Sequence, residues 1–317
     1  MSKGYRDYFK VHSRSSAIPW GRKEHFSATQ AEAAHSDLSS ISHADRVALF
    51  KKILDDKIHG LSFSPYMDGQ SHGTVISQQQ IRSRLGIITP YTRWIRTFSC
   101  IEGNQHTPRI AHENGLKTMV GVGLSDDPAM NEIEFDNAIE IARSGYADIL
   151  AVGNEVLLRG DMSEAKLLDY IQRARQAVPG VPIGYVDAYF LFDEHPRITQ
   201  SCDVILINCY PFWEHCLAEY AMSFTKEMYR RSLKVADGKK VIISETGWPN
   251  RGSAYGAAIP SPENALNYFI HCYQWADEEG IDIFYFSSFD ETWKIVDEGD
   301  VGAYWGLWDK DGKLKYI

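Results

Sequence analysis

From His43 onward, short apolar runs alternate with longer stretches whose apolar residues recur at helical spacing. The first such stretch, HADRVALFKKILDD, sets Val47, Leu49, Phe50 and Leu54 on one face and predicts a helix leading into the first strand. The apolar runs predict strands at Gly60 to Ser64, Trp94 to Phe98, Lys117 to Val122 and Ile149 to Val152, then at Ile183 to Tyr185, Val204 to Asn208, Val241 to Ser244 and Ile283 to Phe286. Strands that alternate with amphipathic helices imply repeated βα units around a parallel sheet, and eight of them imply a closed (β/α)8 TIM barrel of the α/β class.

The helices carry their own punctuation. Asn131 with Glu134 has the spacing of a capping box ahead of FDNAIEIARSG, where Gly145 supplies a left-handed stop. Ser163 is placed to cap EAKLLDYIQRARQAV before Pro179 and Gly180, and Ser261, Pro262 and Glu263 open NALNYFIHCYQWADEE, which Gly280 closes. Residues 1–42 are polar and lack a sustained period, so they read as an arm or leader, and 43–317 as one catalytic barrel.

Composition narrows the partner. Of 317 residues, 44% are hydrophobic and 24% charged, enough for a large buried core. No stretch stays uncharged for the ~18 residues of a membrane span. A net charge of −9 disfavours nucleic acid, whose binders concentrate Lys and Arg. The 8 Trp and 17 Tyr suit stacking on sugar rings as well as core packing. Cys100, Cys202, Cys209, Cys216 and Cys272 form neither a disulfide framework nor a CxxC spacing, and read as buried thiols. The start MSKGYRDYFKVHSRS has no apolar stretch behind it. The expectation is a cytoplasmic protein, or a periplasmic or secreted one whose leader has been removed. Oligomeric state is not legible.

In such a barrel the functional groups lie at the carboxyl ends of the strands. Two strand ends stand out: ADILAVGNEV, which runs into Glu155, and KKVIISETGWP, which runs into Glu245. Glycosidic cleavage needs one carboxyl to protonate the leaving oxygen and a second to attack or to activate water. Three βα units between the two glutamates set them on facing sides of one pocket. An isolated glutamate at either place reads more readily as a salt-bridged or solvent-facing loop residue, a reading weakened here because both follow apolar strands at the functional end.

LSFSPYMDG, VGNEV, INCYPFW, ISETGWP and SFDETWK with GLWDKDG occur in this order from about Gly60 to the C-terminus, and together they resemble glycoside hydrolase family seventeen, the β-1,3-glucanase family. The resemblance implies a retaining glycoside hydrolase acting on β-1,3-glucan oligo- or polysaccharide, with Glu155 as acid/base and Glu245 as nucleophile. It further implies that Asn154 contacts the substrate 2-hydroxyl and that Tyr210 stands beside the nucleophile. Glu291, Lys294 and Glu298 correspond to accessory acidic and basic groups, the lysine keeping the nucleophile ionised. FDETWK departs from the plant-type FNENQK pattern. Tyr66, Asp68, Phe212, Trp213, Trp248 and Trp293 are candidates for the sugar cleft, with Trp248 alternatively packing beneath the nucleophile loop.

Transglycosylation, in which a sugar replaces water as acceptor, would use the same residues. A noncatalytic glucan-binding barrel would require the loss of a catalytic glutamate, and a β-1,4-specific barrel accounts less well for SETGWP. Metal chemistry has no support from His106 and His112, which lack the HExxH arrangement, nor from the Asp309, Asp311 and Gly312 turn. No GxSxG is present and no cofactor is expected. Short loops after the first three strands are expected, favouring small oligosaccharides.

Overall fold

The computed structural model describes residues 38–316. The polar arm expected over 1–42 lies outside them except for its end, where Leu38–Ser40 form a 3-10 turn and the Ser42 hydroxyl caps helix His43–Asp55 by accepting from Asp45 N at 3.2 Å. This helix is docked against helix Pro262–Glu279 through Arg46 and Glu263, 2.7 Å apart, and through the rings of Phe50 and Phe269.

Eight parallel strands close into a barrel in sequence order: β1 (Ile58–Ser62), β2 (Thr92–Arg96), β3 (Lys117–Val122), β4 (Ile149–Asn154), β5 (Ile183–Ala188), β6 (Val204–Asn208), β7 (Lys240–Thr246) and β8 (Ile283–Tyr285). β8 returns to β1 through the pairs Gly60↔Phe284 and Leu61↔Tyr285. β3 and β6 have the expected bounds. β1 and β2 begin and end two residues early, and β8 stops one residue short. β4, β5 and β7 run on to Asn154, Ala188 and Thr246. Polar residues there, Asn154, Asp187, Glu245 and Thr246, are members of the ladder, so polarity is a poor guide to where these strands stop. Among the described residues no helix is long and apolar enough to cross a membrane.

Strand alternation builds the interior. Side chains of period two send Met119, Ile149, Ala151, Val186, Val204, Leu206, Ile242 and Phe284 inward as a closed apolar plug, with Trp94 packed against it. The next inward positions are polar: Arg96 follows Trp94, and Asn208 follows Leu206. The plug is the floor and the polar layer is the base of the pocket. Gly60 belongs to this floor, because a Cβ there would stand 2.4 Å from the Phe284 ring.

Two strand irregularities alter the alternation at the top. On β7 the register shifts so that Asn208 is level with Glu245. Ser244 already points inward, to Asn208, whereas Thr246 points outward to Tyr268 on helix Pro262–Glu279. The shift turns Glu245 inward as well, where strict alternation would have sent it to the helices. On β4 a second shift between Ala151 and Asn154 sets both Asn154 and Glu155 toward the pocket.

The Ser163 and Ser261 caps and the Gly280 stop are found where the sequence sets them. The Asn131 and Glu134 capping box is not. Helix Pro128–Arg143 starts earlier, capped by Asp127, and both residues lie buried inside it. Asn131 accepts from Ser125 N at 2.7 Å. Glu134 accepts from Ser99 Oγ at 2.5 Å, Cys100 N at 2.7 Å and Gly123 N at 3.2 Å. Their helical spacing, i and i+3, matches a capping box, but their partners are the loops above β2 and β3. The connection after β1 is also longer than expected, running from residue 63 to 77.

Gly60→Ala is expected to cost about 1–3 kcal/mol in urea unfolding, the usual range for an overpacked core. The cost should shrink in a Phe284→Leu background, where the ring is gone. An equal cost in both backgrounds would show that the contact with Phe284 is not what requires glycine.

Candidate active site

The pocket is assembled from strand ends. Gly153 on β4 has φ +90°, and Glu155, two residues on and just past the strand, has φ +52°. A left-handed conformation costs a non-glycine residue about 1 kcal/mol or more. The cost is met by position: the Glu155 N–H donates to Val186 O at 2.8 Å on β5, and its side chain swings into the pocket instead of capping the helix Val156–Arg159 that it opens.

Glu155 and Glu245 are buried, 8% and 5% exposed, and sit in unequal environments. Glu245 is held on both oxygens, by the Arg96 guanidinium on Oε1 and the Tyr210 hydroxyl on Oε2. Arg96 is itself buried and lies 4.4 Å from the centroid of the Phe98 ring. Glu155 has one amide partner, Asn208 Nδ2, which donates to Oε1 at 2.8 Å. The Ser244 hydroxyl donates to Asn208 Oδ1 at 2.9 Å and so fixes which end of the amide faces Glu155. Asn154 links the two sides, its Oδ1 accepting from Arg96 Nη2 at 3.0 Å and from Asn208 Nδ2 at 3.5 Å.

These environments separate the two acids. Burial, followed by the neighbouring charges of Glu245 and Asp187, pushes the Glu155 carboxyl up to about 8, against the opposing effect of the Asn208 bond and Arg159. Glu245 has the Arg96 guanidinium at contact distance. Burial and the Glu245 charge raise the Tyr210 hydroxyl well above its ordinary value, so it remains a donor.

Of the accessory residues, Lys294 was expected to hold the nucleophile ionised. Its Nζ instead pairs with Glu291 Oε2 at 2.5 Å and lies 4.1 Å from the Phe286 ring centroid. The cation on Glu245 is Arg96. Glu291 also accepts from Trp293 Nε1 at 3.1 Å. Burial works to raise Glu291, but the charge and hydrogen bond of Lys294 with other donors outweigh it, leaving the group below its ordinary range. Glu298 is pushed up to about 7 by burial, with Lys294 opposing and Glu291 and Glu245 adding to the rise.

The cleft candidates divide into two groups. Tyr66, beyond the end of β1, packs edge-on to Trp293 and to His72, and half-buried Trp293 faces His72 at 4.7 Å between ring centroids. These rings edge the Glu291 and Lys294 side of the pocket. Asp68 bonds Thr292 and Lys310 on the exposed rim, tying the loop after β1 to the one after β8. Phe212 and Trp248 are 0% and 1% exposed and offer no open face to a sugar. They pack on each other, with Trp248 Nε1 donating to Ile259 O at 3.0 Å, in the aromatic layer behind the nucleophile. Trp213 belongs to the same layer, against Trp305 and Tyr255.

Sequence reasoning did not reach Arg96, Asn208, Asp187, Phe286 or Trp305. Arg96 and Asn208 end apolar runs, in TRWIR and VILIN, the position that drew attention to the glutamates. Applied to every strand, the same rule would have found them. Phe286 and Trp305, both against the Tyr210 ring, carry no such signal.

A model of the BtgE/BtgC glycoside hydrolase domain matches residues 60–306, a span that holds all eight strand ends except the first residues of β1. A glucan 1,3-beta-glucosidase from Candida albicans is 27% identical over 271 residues, 77% of this chain and 87% of the Candida protein. Among solved structures, the glycoside hydrolase family 17 beta-1,3-glucanosyltransferase from Rhizomucor miehei matches with TM-score 0.72 and 27% identity, over 82% of this chain and 96% of that one. An endo-laminarinase from Formosa Hel1_33_131 shares the fold at TM-score 0.72 and 19% identity, over 84% and 87% of the two chains. With its two buried strand-end glutamates inside the matched span, the chain belongs to the BtgE/BtgC glycoside hydrolase domain family and is a member of glycoside hydrolase family 17.

Proposed function

We propose that this protein cleaves β-1,3-glucan with retention of configuration, Glu155 acting as acid/base and Glu245 as nucleophile. One observation carries the assignment of roles: two buried carboxyls in one pocket, one paired with a guanidinium and bonded by a tyrosine hydroxyl, the other raised to about 8. A carboxyl raised so far keeps its proton at neutral pH and serves as the acid, which leaves the guanidinium-paired carboxylate as the attacking group.

The sequence of events follows from the hydrogen bonds. Asn208 donates to Glu155 Oε1, so the proton resides on Oε2 and is delivered to the glycosidic oxygen. As that C–O bond breaks, Glu245 attacks the anomeric carbon and forms a glycosyl ester, while Arg96 and Tyr210 keep the carboxylate oriented. Glu155, now ionised, removes the proton from the acceptor hydroxyl, which attacks the ester and releases Glu245. Asn154, whose Oδ1 is taken by Arg96 and Asn208, is left with its NH2 for a sugar hydroxyl beside the nucleophile. The acceptor is water in hydrolysis and a second glucan in transfer. Transfer is favoured as a second reading by the likeness to the Rhizomucor glucanosyltransferase.

Azide separates the two roles. Glu245→Ala should lose at least about 10³-fold in turnover, and azide should restore it with a glycosyl azide of inverted configuration. Glu155→Ala with azide should give the retained β-azide. Full activity of Glu245→Ala without azide would sink the assignment.

Laminari-oligosaccharides distinguish the acceptors. Sizing the products should show shorter chains alone for hydrolysis, or chains longer than the substrate for transfer. No turnover of any β-1,3-glucan would refute the substrate.

The pH profile gives a third check. Because Glu155 works in its protonated form, kcat/KM should fall as pH rises through about 8, and this limb should be absent from Glu155→Ala on a substrate whose leaving group needs no acid. An alkaline limb that persists in that variant would assign it to another group.

A further inference from the structure

We infer that Tyr185 and Asp187 on β5 are the positioning residues for the acid/base, capping from a neighbouring strand the helical turn that Glu155 cannot cap itself. The inference rests on the reading of Glu155 as acid/base.

The need arises from the backbone. A helix start leaves its first N–H groups without internal partners, and the residue preceding the helix ordinarily accepts one of them with its side chain. For helix Val156–Arg159 that residue is Glu155, whose side chain makes no capping bond because it is committed to the pocket and to Asn208. The open N–H groups are met from β5. Leu157 N donates to the Tyr185 hydroxyl at 3.0 Å, and the hydroxyl donates onward to Asp187 Oδ2. Asp187 also accepts from Leu158 N, and its Oδ1 accepts from Ala188 N at 2.7 Å.

Tyr185 serves the turn a second time with its ring. A Cβ on Gly153 would stand 3.4 Å from it, so the ring lies along the left-handed step that precedes Asn154 and Glu155. The two residues thus hold the acid/base turn on both sides, ring against Gly153 and hydroxyl under Leu157. Both are fully buried, and neither is needed for the apolar plug. Tyrosine and aspartate at alternate positions of a buried strand are expensive there unless paired, and here they pair with each other and with the turn.

The pair also bears on the proton. The groups facing Glu155 are Glu245 from β7, Asp187 from β5, Asn208 from β6 and Arg159 from its own helix, with Tyr210 nearby. Among the described residues Asp187 is ion-paired with no cation, Arg159 being paired with Asp161 at 2.7 Å. When ionised, Asp187 adds to the forces that keep the Glu155 proton in place. Removing its charge should let that proton leave at lower pH.

The test uses two substrates, a laminari-oligosaccharide and a β-laminaribioside with a dinitrophenolate leaving group, which needs no protonation. Tyr185→Phe deletes the acceptor for Leu157 N and leaves the ring. It should lower kcat/KM about 10-fold or more on the oligosaccharide, part of what a general acid supplies, while changing the aryl substrate far less. Asp187→Asn should move the alkaline limb on the oligosaccharide down by about one pH unit. Equal losses on both substrates from Tyr185→Phe, with an unmoved limb in Asp187→Asn, would overturn the inference. If Tyr185→Phe fails to fold, the Asp187→Asn limb alone decides. Glu155→Ala run in parallel separates the two levels. Equal losses on both substrates there would refute the acid/base reading itself, whereas an acid-type pattern for Glu155→Ala with none for the β5 variants would refute only the positioning role.

Discussion

The buried ion pair between Arg96 and Glu245 is the constraint around which the pocket is arranged. Taking two charges out of water is costly, and their attraction offsets that cost only where geometry is fixed and the remaining donors and acceptors are met. The barrel fixes the geometry and meets most of these groups, Arg96 Nε being buried with no hydrogen-bond partner among the described residues. β2 and β7 deliver the two side chains from opposite arcs of a closed sheet, Tyr210 takes the second carboxylate oxygen, and Asn154 takes the second guanidinium nitrogen. Leaving either charge alone would cost ~3–5 kcal/mol, so the fold and the pairing of Glu245 with Arg96 support one another.

The same pair contributes to the state of Glu155. Burial raises that carboxyl most, and the charge of Glu245 across the pocket adds to the rise. The link between the acids is physical as well as electrostatic, running from Glu155 through Asn208 and Asn154 to Arg96 and Glu245. Two amides of fixed orientation let a neutral acid and an anion share one small cavity.

Much of this was legible in the chain. Strand positions, barrel closure in eight units and the two glutamates followed from apolar runs and from what ends them, because inward alternation and strand-end chemistry are local properties. What was missed depends on phase and partner. The inward turn of Glu245 rests on a register shift that no residue type announces. Asn131 and Glu134 share the spacing of a cap with many buried helix pairs, and only their tertiary contacts reveal loop anchors. Lys294 stood near the right acids in sequence, yet a rigid strand arginine outcompetes it for the nucleophile, while Lys294 pairs with the nearer Glu291. Phe212 and Trp248 show that aromatic residues beside a catalytic motif are as readily its backing as its sugar platform.

Glu134 has an implication for redesign and for divergence of the cleft. A single carboxylate on an outer helix receives Ser99 and Cys100 from the loop above β2 and Gly123 from the loop above β3. The two loops are therefore one module with a shared anchor, and so is the helix behind them. Grafting either loop from a relative without its neighbour would strand an acceptor in the interior. Variation in this arc of the rim should then travel in blocks, with the helix, whereas the exposed bonds of Asp68 to Thr292 and Lys310 between the loops after β1 and β8 can be exchanged at far lower cost.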